Sequence, residues 1–165
     1  MRKAFAILLC LAICLSVCSC SMRNIEFCEL RFSLPRSFSE VDGGDSFDVA
    51  LSDGEVFVGV LRISFDAAVE SGIPATMTPF KLAEYYMSLT EKGDKATPVT
   101  EHGDVPYYCY VEENGGIQYL YMPTFYFSYY AYFIITFITP TSTDEDIVAR
   151  LLSYTESVHL VYPEV

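Results

Sequence analysis

From Val105 to Thr139 the chain reads as β-strand almost throughout, and no other stretch narrows its choice of fold as much. "Tyr107-Tyr108-Cys109-Tyr110-Val111" runs into Asn114-Gly115-Gly116, a tight-turn signal. Apolar and aromatic residues then continue from Ile117 to Phe127 and from Tyr130 to Thr139, with Ser128-Tyr129 between them. Aromatic side chains suit a pleated surface and pair well across strands. The stretch therefore predicts a three-stranded antiparallel meander. Nine of the 13 tyrosines fall between residues 107 and 132, so strand alternation cannot turn all of them inward. A hairpin tip at Ser128-Tyr129 should project Tyr129 or Tyr130 into solvent, where rigid amphipathic rings suit a partner protein or a bilayer headgroup region.

The elements on either side complete the plan. "Cys28-Glu29-Leu30-Arg31-Phe32-Ser33-Leu34" alternates and stops at Pro35, as a strand does. Ser46–Leu51 and Val56–Ile63 flank Asp53-Gly54, a hairpin signal, and the second run is apolar enough to be covered on both faces. Thr78-Pro79 opens a helix whose Phe80, Leu82, Ala83, Tyr86, Met87 and Leu89 recur at helical spacing, closed by Lys92-Gly93. Ser142-Thr143-Asp144-Glu145 is a capping box, and Ile147, Val148, Leu151 and Leu152 form the apolar stripe of a second helix. Ser157–Val161 reads as a last strand. Many strands and two main helices give an α+β class: one antiparallel β-sheet of six or seven strands sandwiched between helices, in a single domain.

This order of elements, with the central hairpin ending in "Arg62-Ile63-Ser64-Phe65", resembles the PsbP-like fold over about residues 26–162. That fold occurs in a photosystem extrinsic subunit and in many bacterial lipoproteins. The resemblance implies a binding or assembly factor without catalysis. It supplies no site motif, so no functional residue is carried over.

The first residues address the protein to a place. Met1-Arg2-Lys3 precedes a 14-residue run, Ala4 to Val17, that is apolar except at Ser16, and small residues follow. That is the plan of a secretory signal peptide, and the run is short of the ~20 apolar residues that cross ~30 Å of hydrocarbon. "Val17-Cys18-Ser19-Cys20" resembles the lipobox of bacterial lipoproteins, with Val17 three before the modified cysteine and Ser19 next to it. Cys18 fits worse, because bulky Val17 would sit beside the cut. By that resemblance Cys20 carries a diacylglyceryl group and becomes the new N-terminus, holding the protein to a membrane on its extracytoplasmic face. The chain then divides into a leader (1–19), a short tether (20–25) and an α+β domain (26–165).

Losing residues 1–19 removes two of ten basic residues and none of the 22 acidic ones, which leaves 146 residues at a formal −14. An exterior so acidic argues against nucleic acid and against spreading on an anionic membrane. Arg23, Arg31 and Arg36, close behind Cys20, are placed either to meet lipid headgroups or to serve as ordinary solvated arginines. With Cys20 acylated, Cys28 and Cys109 remain, either as a disulfide pair or as free thiols.

Chemistry-bearing groupings are sparse. His102 lies near Glu101 and Asp104, but no second histidine or Cys-x-x-Cys stands at ligand spacing, and His159 follows strand alternation. Asp144-Glu145-Asp146 does not match a calcium loop. There is no Gly-x-Ser-x-Gly and no phosphate-cradling glycine loop. The sequence thus assigns no catalytic residue, no cofactor and no metal site. It points to a lipid-anchored envelope module that binds another envelope protein or a small ligand. The rival readings are an enzyme whose acidic residues are gathered by the fold, and a purely structural lipoprotein.

Overall fold

The computed structural model describes residues 21–89, 95–141 and 146–161. Eleven strands and three α-helices are described, in the order β1 (Met22–Phe27), β2 (Leu30–Pro35), β3 (Ser39–Glu40), β4 (Val49–Ser52), β5 (Phe57–Ser64), α1 (Phe65–Glu70), α2 (Pro79–Leu89), β6 (Thr100–His102), β7 (Val105–Tyr107), β8 (Tyr110–Asn114), β9 (Ile117–Phe127), β10 (Ala131–Pro140), α3 (Ile147–Thr155) and β11 (His159–Leu160). The class is α+β and every strand pair is antiparallel, as the sequence predicts.

Strand β10 is the spine. It pairs with β5 on one side and β9 on the other, and the large sheet runs β3-β4-β5-β10-β9-β7-β6, with β8 also on β9. Its side chains divide by parity. Phe133, Ile135 and Phe137 enter one core with Val58, Val60, Met122 and Tyr126, while Tyr132 and Ile134 enter another with Ala68, Leu82, Ala83 and Phe125. A strand buried on both faces must be apolar at consecutive positions, which is why Val56–Ile63 and Tyr130–Thr139 do not alternate. Helices α1 and α2 cover the second core, and the Tyr132 hydroxyl donates to the carbonyls of Pro74 (2.9 Å) and Met77 (3.0 Å) in the loop between them. Thr78 caps α2, its Oγ1 accepting from Lys81 N at 3.3 Å.

The other face differs from the sequence-based expectation. Helix α3 lies there, but so does a separate three-stranded sheet, β1-β2-β11. Residues 22–25, expected as tether, belong to strand β1, which pairs with β2 along its whole length. Only Ile25 of β1 is buried, so its sequence carries no alternation to read. Strand β2 supplies the apolar face, with Leu30, Phe32 and Leu34 buried. The expected strand 107–111 is broken at Tyr108-Cys109. There the Cys109 N–H donates to Thr97 Oγ1 (2.9 Å) and its carbonyl accepts from Thr97 N (2.8 Å), which leaves β7 and β8 to share one edge of β9. The helix-closing Lys92-Gly93 and the capping box at residues 142–145 lie outside the described residues.

Gly59 sits under the ring of Phe47, and a Cβ there would overlap that ring. Gly59→Ala should therefore cost about 1–3 kcal/mol, the range for overpacking, read as a lower urea midpoint. In a Phe47→Ala background the same change should cost less, and an equal cost in both would refute the clash.

Candidate functional site

The β9–β10 turn is built by one side chain. Ser128 is buried, and its Oγ accepts from the N–H groups of Tyr130 and Ala131, both at 3.1 Å. Its N–H donates to the Ala131 carbonyl at 2.8 Å. A serine that closes a turn onto its own neighbours fixes the backbone locally. Tyr129 is 72% exposed, Tyr130 52% and Phe127 50%, so three aromatic side chains crowd one tip. The Tyr130 carbonyl accepts from Phe65 N at 3.1 Å, tying the tip to the start of α1.

Beside the tip lies a cleft of about 330 Å³ lined by Cys28, Glu29, Arg31, Tyr130 and Val161. Its floor comes from the β1–β2 turn, where Cys28 takes a positive φ of 51° that L-residues seldom adopt. Glu29 receives Arg62 through both carboxylate oxygens, at 3.4 and 3.3 Å, and the Arg62 guanidinium stands 6.0 Å from the Phe133 ring. This pair is largely shielded from water, with side chains 27% and 16% exposed. The Glu29 carbonyl accepts from Val161 N at 2.7 Å, which closes the far wall. Arg31 is paired with Glu26 at 3.2 Å, both well exposed.

The remaining tyrosines of the 107–132 stretch are structural. Tyr108, Tyr126 and Tyr132 are buried, and Tyr107, Tyr110, Tyr119 and Tyr121 half-buried. Tyr121, Tyr110, Tyr108 and Phe125 stack in succession, with centroids 4.9, 6.1 and 6.0 Å apart, and Tyr86 of α2 packs on the end of the row at 5.9 Å. Burial pushes the Tyr108 phenol well above its ordinary range and that of Tyr110 up to about 12. Both rings stay neutral at ordinary pH and act as packing.

Cys28 and Cys109 are both free, so the candidate disulfide between them is not formed. Cys28 is exposed at the β1–β2 turn, whereas Cys109 is buried in the core between the sheets. Burial raises the Cys109 thiol to about 11, which keeps it protonated and unreactive. His102 belongs to strand β6, and its Nε2 lies 3.2 Å from Glu156 Oε1. His159 sits opposite Arg31 in β11. Among the described residues no three His, Cys, Asp or Glu side chains gather where they could hold a metal ion. Nor is any described helix long and apolar enough to cross a membrane. Cys20, Asp144 and Glu145 lie outside the described residues. Of the three arginines expected together, Arg23 pairs with Glu40, and the Arg36 N–H donates to the Ser21 carbonyl. Arg31 stands apart from them, at the cleft.

Sequence reasoning found Tyr129 and Tyr130 and missed the rest of this surface. Glu29 meets Arg62, and the β1–β2 turn meets Tyr130, only because a second sheet docks on the first, and no local pattern announces that.

Solved structures of the same fold are known from several organisms. The cyanobacterial PsbP protein of Synechocystis is 17% identical, covers 86% of this chain and 93% of its own, and superposes with a TM-score of 0.52. The Ran-binding protein Mog1p of Saccharomyces cerevisiae is 8% identical over 87% of this chain and 97% of its own, with a TM-score of 0.51. A Bacteroides thetaiotaomicron protein is 10% identical over 82% of this chain, with a TM-score of 0.51; this chain spans 46% of that protein's length. At such identities the likeness is one of fold. No family model and no curated protein matches the sequence.

Proposed function

We propose that this chain is a lipid-anchored, extracytoplasmic binding or assembly module of a bacterial cell envelope, without catalysis of its own, which holds another protein through its β9–β10 tip. The observation that carries this reading is the tip itself: three neighbouring aromatic residues, each half or more exposed, at a turn whose backbone Ser128 holds. Folding alone gains nothing from that exposure, whereas an interface gains rigid contact area with few rotamers to freeze. The lipobox at Cys20 supports the location. The fold supports the class of function, since one protein sharing it is named for binding Ran.

The test is affinity capture with the wild type and with Tyr129→Ala/Tyr130→Ala. The turn's backbone is held by Ser128 Oγ and by main-chain bonds, so the double variant should keep its fold, with stability within about 1 kcal/mol of the wild type. It should lose most of its captured partners. Equal capture by both proteins would remove the tip from the interface.

A further inference from the structure

We propose that the tip faces away from the anchoring bilayer and that its cleft receives a protein segment bringing an apolar side chain and an adjacent carboxylate. The inference rests on the reading of Cys20 as the lipid attachment point, and the fold then sets the direction. The first described residue, Ser21, is bonded to Cys20, and its carbonyl is held by the Arg36 N–H at 3.1 Å. From there β1 runs from Met22 to Phe27, paired along its whole length with β2. Arg23 pairs with Glu40 at 3.2 Å, and Glu40 lies opposite Leu51, which lies opposite Val58, which lies opposite Phe137. At the other end of β1, Phe27 meets Phe133 edge-on at 6.5 Å. Phe133 is four residues nearer the Ser128–Tyr130 turn than Phe137, so β1 carries the chain toward the tip. Five strand steps from Met22 to Phe27 are about 17 Å, and Tyr130 lies beyond them, over the Cys28 turn. An acyl group at Cys20 therefore holds the opposite end of the protein, and the tip rings point into the aqueous space.

The cleft's own groups describe its occupant. Tyr130 and Val161 are apolar walls. Glu29 is already engaged by Arg62 through both oxygens, so it makes no demand on a ligand. Arg31 is different, because its counter-ion Glu26 is 62% exposed at the side chain, and an exposed pair is cheaply exchanged for another carboxylate. The tip segment Phe127–Ala131 carries no charge, although the mature chain is strongly acidic. An apolar side chain against Tyr130 and Val161, with a carboxylate reaching Arg31, matches the apolar walls and the one exchangeable charge of the cleft.

Two readouts test this on the full lipidated protein. Cys28 is the exposed one of the two described thiols, so it takes a maleimide fluorophore directly. A second protein, Cys28→Ser/Glu40→Cys, places the same dye at the attachment end. In phosphatidylglycerol–phosphatidylcholine vesicles carrying an energy acceptor on the lipid headgroup, the residue 40 dye should be quenched at least threefold more than the residue 28 dye. Equal or stronger quenching at Cys28 would mean that the tip enters the bilayer and would overturn the proposal. Protein that fails to float with the vesicles at all would instead sink the anchoring reading, a distinguishable result. For the occupant, blocked Leu-Asp and Leu-Lys dipeptides serve as probes in amide-shift titrations. Leu-Asp should move the resonances of Cys28, Arg31, Tyr130 and Val161 at concentrations at least fivefold lower than Leu-Lys, a preference that Arg31→Ala removes and Arg31→Lys partly keeps. No preference, or one that survives Arg31→Ala, would refute the carboxylate.

Discussion

Phe133→Ala should lower the unfolding free energy by about 3–5 kcal/mol, the range for removing a buried phenylalanine ring. The ring is fully buried near the tip end of the spine strand, opposite Tyr126 on one side and Arg62 on the other. It meets the edge of Phe27 from the small sheet and carries the Arg62 guanidinium over its face. Truncation leaves a cavity between two sheets that are separately hydrogen-bonded, and neither can collapse into it without breaking its own ladder. Against a typical domain stability of about 5–15 kcal/mol this is a large fraction. It should appear as a urea midpoint that falls with an unchanged slope, the mark of altered stability and not of altered unfolding. The same variant should speed maleimide labelling of Cys28, because Phe27 and Arg62, which pack on the ring, are among the contacts that hold the β1–β2 turn in place. A loss below about 1 kcal/mol would show that the small sheet does not pack against β10 as described.

How far the sequence foretold this arrangement depends on where each element's information resides. Strands β9 and β10 were legible to within a residue or so, and so was the start of helix α2, whose expected close at Lys92-Gly93 lies outside the described residues. Their patterns are long, and the Ser128 turn and the Thr78 cap are local chemistry. Strand β5 was legible for the opposite reason, since a run without alternation is what a doubly covered strand requires. Strand β1 was not, because its burial depends on Ile25 alone and its pairing on the partner strand. Helix α1 is six residues long, too short for a period to show, although Ser64 caps it by accepting from Ala67 N. The second sheet was hidden for a related reason. Leu30, Phe32 and Leu34 say that β2 has an apolar face, but nothing in them says whether a helix or another sheet will cover it. The site followed the same division. Tyr129 and Tyr130 could be picked out because a hairpin tip must turn its rings outward. Arg62 and Val161 could not, since their nearness to Cys28 is a property of docking. The free state of Cys28 and Cys109 is of this kind too: both stretches look strand-like, yet one cysteine lies on the rim and the other in the core.

Cys20→Ser should abolish incorporation of labelled palmitate and leave the leader uncut, whereas Cys18→Ser should change neither. The thiol is the atom that would take the diacylglyceryl group, and a hydroxyl is a far weaker nucleophile at ordinary pH. With the thioether in place, two or more acyl chains at ~0.8 kcal/mol per buried methylene hold a protein to a bilayer, where a single chain does so only marginally. The fold makes the consequence sharper than the sequence could. Because β1 starts at Met22 and not near residue 26, one residue separates Cys20 from the first strand, so an acyl anchor leaves the domain almost no freedom to turn over. Arg23 and Arg36 then lie at the membrane-facing end, where each could add about 1 kcal/mol against an anionic surface. Arg31 could not. Charge reversal at Arg23 or Arg36 should therefore weaken vesicle binding of the acylated protein in low salt, and reversal at Arg31 should leave it unchanged. Label that persists in Cys20→Ser, or an intact mass that retains Met1 in the native product, would remove the anchor and, with it, the direction in which the tip is held.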